Sequence, residues 1–465
     1  MDYWGHGTPV TGIVGGGWPR LNVMSGIAPG VEFLHSNSDY YAEPPFLVPI
    51  EARLAWAQSE GAHVILIEDG EWIWEYMDGS SNTEIMLNEL AEAGMIIVVP
   101  AGNLATGNMH TSFLGAQGTS LTTSGASVIW ISFLWEPLAA PVSIAMTPPG
   151  GAPIAVPTDG STAVSQGLRT YGLRSQSGRG TFRQDIRIST DPEGGNVAGP
   201  LGFAFGGIPG STVHGFFCDN ISGWYSPNRW AVVDQTRTVT WPATADSAIS
   251  VTAYNPANDG DLDGYSGWGP RIDGRPDVDI AAPGSGVVST HYSTPGNYTG
   301  FGGTSGAGPH VVGAAALLKQ LLPNLDNGKC RRLLRQAAGQ DQYTDDPDRW
   351  GAGKLRIYGA VEAALADAAD HSRFPELALA AAPNPFVSQV ALRFHLHGDE
   401  PATLRVFSAE GRQVWSRRIE AGGAGRRELS WDGKNWRGLP VASGLYFAHL
   451  RQGERYAAVR LTLLR

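Results

Sequence analysis

The run Gly302-Gly303-Thr304-Ser305-Gly306-Ala307-Gly308-Pro309-His310, followed by Val311-Val312-Gly313-Ala314-Ala315-Ala316-Leu317-Leu318, constrains this chain more than any other stretch. A glycine-rich turn feeds an apolar helix, with a Thr-Ser pair at the junction, and Ser or Thr is a favoured helix cap. A helix start exposes backbone N–H groups and a partial positive charge, which favours an anion formed beside it. The spacing puts Pro309 in the first turn, where its missing N–H costs little. Val311, Val312, Ala315, Leu318 and Leu322 recur at helical spacing, so one face is buried and the helix runs to about Leu322. Glycines beside Ser305 let another backbone come close. A nucleophile placed there is exposed and electrostatically supported. Taken alone, the run reads equally well as an ordinary Ser-capped buried helix.

Two further stretches carry polar side chains of the kind acyl transfer needs. Near the N-terminus, Gly5-His6-Gly7-Thr8 opens a small-residue helix, and a histidine between two glycines is hard to explain as core. Residues 95–100 form an apolar run of buried-strand type that ends in Ala101-Gly102-Asn103. An asparagine there is either a turn residue or a hydrogen-bond donor to a developing oxyanion. Around these, residues 31–35 and 62–67 read as strands, and 49–60 and 82–93 as helices. Strands alternating with helices predict an α/β fold with a parallel sheet and helices on both faces. Function belongs at the C-terminal ends of such strands, where Asn103 falls.

Together these stretches resemble the subtilisin-like serine proteases, the subtilases. Gly5-His6-Gly7-Thr8 resembles the family's histidine motif, Ala101-Gly102-Asn103 its oxyanion motif, and Gly303-Thr304-Ser305 with Pro309 its serine motif, in the family's order. Ser25-Gly26-Ile27-Ala28-Pro29-Gly30, the segment from Ser266 to Gly284, and Trp350 to Leu355 with the helix after them are similar to further family segments. The resemblance implies that Ser305 is the nucleophile, His6 the general base and Asn103 an oxyanion donor. It also implies that Glu68-Asp69-Gly70, where the family commonly has Ser-Leu-Gly or Ser-Trp-Gly, walls the pocket for the substrate side chain before the cut bond. Two carboxylates there point to a basic side chain in that pocket, or else to a solvated loop. The family's triad begins with an aspartate upstream of the histidine. Asp2, four residues before His6, is not assigned that role, and the chain is expected to lack its true N-terminus.

The resemblance covers residues 1–103 and 237–370, a split peptidase domain. Between them, residues 104–236 have no counterpart in a minimal subtilase. Alternating β-branched stretches separated by Gly and Pro, of which the chain has 61 and 31, predict an inserted β-sandwich. From residue 377 to 465 short alternating strands resemble the C-terminal Ig-like sorting domains of secreted bacterial proteins, similar to the FlgD-like and type IX secretion modules. Ala382-Pro383-Asn384-Pro385-Phe386, Trp431-Asp432-Gly433 and Ala442-Ser443-Gly444-Leu445-Tyr446 carry that likeness. It implies export to the surface or the medium, with the export machinery as a partner.

A net charge of -11 argues against a nucleic-acid partner. No apolar run approaches the length of a membrane span. Cys218 and Cys330 are the only cysteines, and the sequence does not decide whether they pair. Asp259, Asp261 and Asp263 alternate around Gly260 as a calcium loop does, yet Pro270 stands where the closing Glu belongs. A structural calcium is one reading and a solvated acidic turn the other; no catalytic metal or cofactor is expected. The expected function is a secreted serine endopeptidase acting on proteins or peptides. The alternative is a catalytically impaired subtilase-like scaffold that binds protein or glycan.

Overall fold

The computed structural model describes residues 5–17, 24–36, 49–136, 142–208, 210–257, 260–294, 296–373, 377, 379–409, 412–420, 422–453 and 455–464, with backbone alone for 367–373. Asp2 and Asp259 lie outside the described residues. The chain divides into two compact units, Met1–Ala364 and Leu365–Arg465.

The first unit is built on a four-stranded parallel sheet in the order Val64–Leu66, Ile96–Pro100, Ile249–Tyr254, Ile280–Pro283. Strand side chains alternate between faces, and Ile96–Pro100 shows the consequence. Ile96 and Val98 join one core with helices α4 (Thr304–Leu321), α5 (Asn327–Ala337) and α6 (Ile357–Arg373), and with Val14 of α1 (Gly7–Gly15). Ile97 and Val99 join another with α2 (Ile50–Ser59) and α3 (Asn82–Glu92). Both faces of the sheet are therefore covered by helices. Ser81 caps α3 in a reciprocal capping box with Glu84.

Residues 31–35 form no regular element and pair with no strand among the described residues. The start of α4 also differs from the sequence reading. Its cap is Gly303 at φ 85, without a side-chain cap bond, so Thr304 and Ser305 are the first two helical residues. A residue other than glycine is strained at that φ. Pro309 consequently sits in the second turn, and Ser305 C=O loses its usual i+4 donor.

Between the oxyanion strand and Ile249 the chain forms two antiparallel sheets. One has six strands, from His110–Leu114 through Thr212–Asp219 to Asp159–Ser165. The other has five, including Thr119–Ala126, Val197–Gly206 and Ser143–Thr147. Aromatic side chains from both fill the space between them: Phe133 meets Phe203 at 5.2 Å and Trp230 at 5.8 Å. This core continues into Trp72, Ile73, Met77 and Ile272 of the flanking segments. Trp72 Nε1 donates to Phe217 C=O at 2.8 Å. The intervening strands are thus in one compact unit with the parallel sheet. Cys218 lies in this β region and Cys330 on α5, and both are free thiols. Burial pushes the Cys330 thiol up to about 12.

In the second unit, a three-stranded antiparallel sheet and a four-stranded one share a single core. The three stretches singled out in the sequence meet there. Phe386 lies 5.7 Å from Trp431, and Trp431 lies 5.3 Å from Tyr446. Tyr446 OH donates to Ala442 C=O at 2.7 Å, so its polar end is satisfied. Trp431 is fully buried. Trp431→Ala is expected to cost this unit about 3–5 kcal/mol, read as a lower urea midpoint for loss of its far-UV strand signal.

Candidate functional site

The site gathers at the C-terminal ends of the two adjacent strands Val64–Leu66 and Ile96–Pro100, under the start of α4. Glu68-Asp69-Gly70 follows the first strand and Ala101-Gly102-Asn103 the second. Helix α4 lies close on these strands because Gly308 has no side chain. A Cβ there would stand 2.9 Å from Pro100 Cγ and 3.3 Å from Leu66 Cδ1.

Asn103 is oriented by the helix start. Thr304 N–H donates to Asn103 Oδ1 at 2.9 Å, and Thr304 Oγ1 donates to the same atom at 3.1 Å. A backbone N–H can only donate, so the accepting atom must be the amide oxygen. That leaves Nδ2 as the donor for the cleft that Asn103 lines. Gly102 N–H donates to Thr304 Oγ1 at 3.1 Å, which closes a small polar ring beneath the serine. Ser305, half-buried, is the second residue of α4, so its N–H precedes any i−4 helical carbonyl and faces no intrahelical acceptor.

His6 is the N-cap of α1, with its side chain 44% exposed and its ring edge against Phe301 at 5.4 Å. The hairpin of Val287–Thr290 and Tyr298–Phe301 grips the start of that helix. Ser289 Oγ donates to Pro9 C=O at 2.6 Å, and Thr290 Oγ1 to Thr8 C=O at 2.9 Å. Gly12 allows the close approach, since a Cβ there would run into both side chains.

Glu68 points at these groups. Its Oε2 lies 3.8 Å from His6 Nε2. Burial pushes its carboxyl up to about 8; the nearby Ser305 hydroxyl opposes that rise and the Asp69 charge adds to it. Asp69 turns away and pairs with Arg53 at 3.6 Å. Gly70 and Gly102 flank the Thr240 side chain, and a Cβ on Gly70 would stand 2.8 Å from Thr240 Oγ1 and 2.9 Å from Trp224 Cη2.

The sequence reading missed four contributors. Thr304 fixes the asparagine. Tyr265 OH accepts from Gly303 N–H at 3.2 Å and donates to Asp263 Oδ2 at 2.9 Å, bracing the serine turn. Trp224 and Tyr225, from the end of the intervening segment, line an open cavity of about 310 Å³ with Asn103, Thr106, Tyr265 and Gly303. An aromatic pair just before the family-like segment resumes is the one signal that could have marked them. Asp263, read as a calcium-loop residue, has its Oδ2 engaged by Tyr265 and by Ser285 Oγ at 2.8 Å. Among the described residues no group of three His, Cys, Asp or Glu could hold a metal ion.

Residues 226–360 match the Subtilase family. A thermostable alkaline protease of Halalkalibacterium halodurans is 34% identical over 124 residues, which are 27% of this chain and 31% of that protein. Subtilisin DY of Bacillus licheniformis is 27% identical over 215 residues, 44% of this chain and 72% of that protein. The chain thus spans about a third of the length of the alkaline protease it matches. The solved CspB protease of Clostridium perfringens shares the fold, with a TM-score of 0.63 at 20% identity over 78% of this chain and 82% of its own. The subtilase match is carried by residues 226–360, and the likeness to the CspB protease is one of fold.

Proposed function

We propose that this chain is a serine endopeptidase in which Ser305, His6 and Asn103 act together on a peptide carbonyl. The observation that carries this reading is their convergence on the first turn of α4, where an anion is favoured by the helix start. Ser305 Oγ attacks the carbonyl carbon as His6 Nε2 takes its proton. The carbonyl π pair moves onto oxygen, held by Asn103 Nδ2–H and the Ser305 N–H. The intermediate collapses with the His6 proton passing to the leaving amine, and water then repeats the sequence on the acyl-enzyme. A binding scaffold gains nothing from an asparagine held with its donor free beside a half-buried serine.

Glu68, Asp69 and Gly70 form the wall of the substrate cleft in this reading. Arg53 offsets the Asp69 charge, and Glu68 is uncharged near neutrality. Peptides with Arg or Lys before the cut are therefore expected to be cleaved no faster than those with Leu or Phe. A positional peptide library checks this, and a tenfold preference for basic side chains would refute it. The second unit is proposed as an export module, and the whole protein as secreted or surface-held by a bacterium. No described helix is long and apolar enough to cross a membrane.

Labelling with a fluorophosphonate, followed by peptide mass mapping, tests the central assignment. The adduct is expected on Ser305. An adduct on another residue, or none on active protein, would sink it.

A further inference from the structure

The Glu68 carboxylate is an unusual group to find where it is. Both of its oxygens are buried, and neither has a hydrogen-bond partner of normal geometry. Buried carboxylates are ordinarily satisfied, because an unpaired one is expensive. The nearest cationic partner is His6, whose Nε2 stands 3.8 Å from Glu68 Oε2. That is the ring nitrogen which takes the serine proton in the mechanism proposed above. The Ser305 hydroxyl is also close enough to favour the ionised carboxyl. Glu68 therefore sits on the serine side of the imidazole.

We propose that Glu68 is the counter-ion of His6 during acyl transfer, placing a buried negative charge beside Nε2 as the imidazolium forms. The inference rests on the serine-protease reading and adds a group to it. Glu68 exchanges no proton with substrate in this scheme: the proton leaving Ser305 goes to His6 and from there to the leaving amine. The carboxylate lowers the energy of the charged imidazole in between. A unit charge on carboxylate oxygens withdrawn from water acts more strongly than the same charge in solvent.

The groups facing Glu68 set when it can act. His6 reaches it from the start of α1, Ser305 from the start of α4, and Asp69 from its own segment, with Arg53 of α2 drawn to Asp69. Burial and the Asp69 charge raise the carboxyl to about 8, so at neutral pH it is mostly protonated and carries no charge. The counter-ion becomes available as pH rises through that value. An alkaline ascending limb follows, above the pH range where a histidine alone would turn activity on.

The test compares full-length wild type with Glu68→Gln and Glu68→Asp. The rate of Ser305 modification by a fluorophosphonate is measured from pH 5 to 10, and the His6 ring resonances are titrated by NMR. Wild type is expected to gain rate with a midpoint near pH 8. Glu68→Gln, equal in shape, is expected to lose that limb, to react about 100-fold slower at pH 9, and to lose a second inflection near pH 8 that ionisation of the neighbouring carboxyl gives the His6 ring resonances. Glu68→Asp is expected to keep the limb, with a rate within about tenfold of wild type. A Glu68→Gln profile that keeps the limb and stays within threefold of wild type would overturn the proposal. If wild type is not modified at Ser305 at all, the protease reading fails. The His6 titration then decides the Glu68–His6 coupling by itself, an inflection near pH 8 that persists in Glu68→Gln refuting it.

Discussion

Ser305→Ala lowers peptide hydrolysis by about a million-fold, the scale of loss when the nucleophile of a subtilisin site is removed. The variant is expected to fold normally. Ser305 is half-buried, and Thr304, not Ser305, makes the hydrogen bonds that fix the helix start. The measurement is kcat/KM on a fluorogenic peptide together with the thermal midpoint. An unchanged midpoint with residual rate at the level of background hydrolysis is the expected pair of results. Hydrolysis within tenfold of wild type would mean that the nucleophile lies elsewhere.

Asn103 supplies the second large effect. In the proposed mechanism its Nδ2–H is the donor to the developing oxyanion, and removing one such donor costs about 3–4 kcal/mol of transition-state stabilisation, or 10²–10³ in kcat. Substitution by leucine is ambiguous, because it also strands the Thr304 N–H and hydroxyl that Oδ1 now accepts. Leaving such donors unsatisfied costs about 1–3 kcal/mol of stability. Asn103→Asp separates the two roles. The carboxylate keeps the acceptor for Thr304 and loses the donor, so the fold holds while kcat falls by at least a hundredfold with KM little changed. An Asn103→Asp enzyme with nearly full kcat would remove the asparagine from the oxyanion site.

The legible part of this protein was the part written in short periods. A continuous apolar run marked the buried strand at residues 95–100, and helical spacing marked Val311, Val312, Ala315 and Leu318, all buried in the structure. Motif chemistry marked His6, Asn103 and Ser305, which the fold places around one helix start. Boundaries were less legible. The Thr-Ser pair looks like a cap, yet Gly303 takes that place, because a positive φ there admits the close approach of Asn103. Residues 31–35 have strand-like composition and no partner strand to pair with.

Sequence alone pointed to the side chains proposed for acyl transfer, through motifs that resemble a known family, and to a parallel α/β scaffold, through local period. It could not determine what Glu68 and Asp69 are for. Adjacent in the chain and alike in chemistry, they diverge because successive side chains leave a strand end in opposite directions. Asp69 meets Arg53, and Glu68 is buried against His6 and Ser305. Their partners come from segments 15 or more residues away on one side and over 200 on the other. Only tertiary packing sets such distances, and the charge a carboxyl carries depends on them.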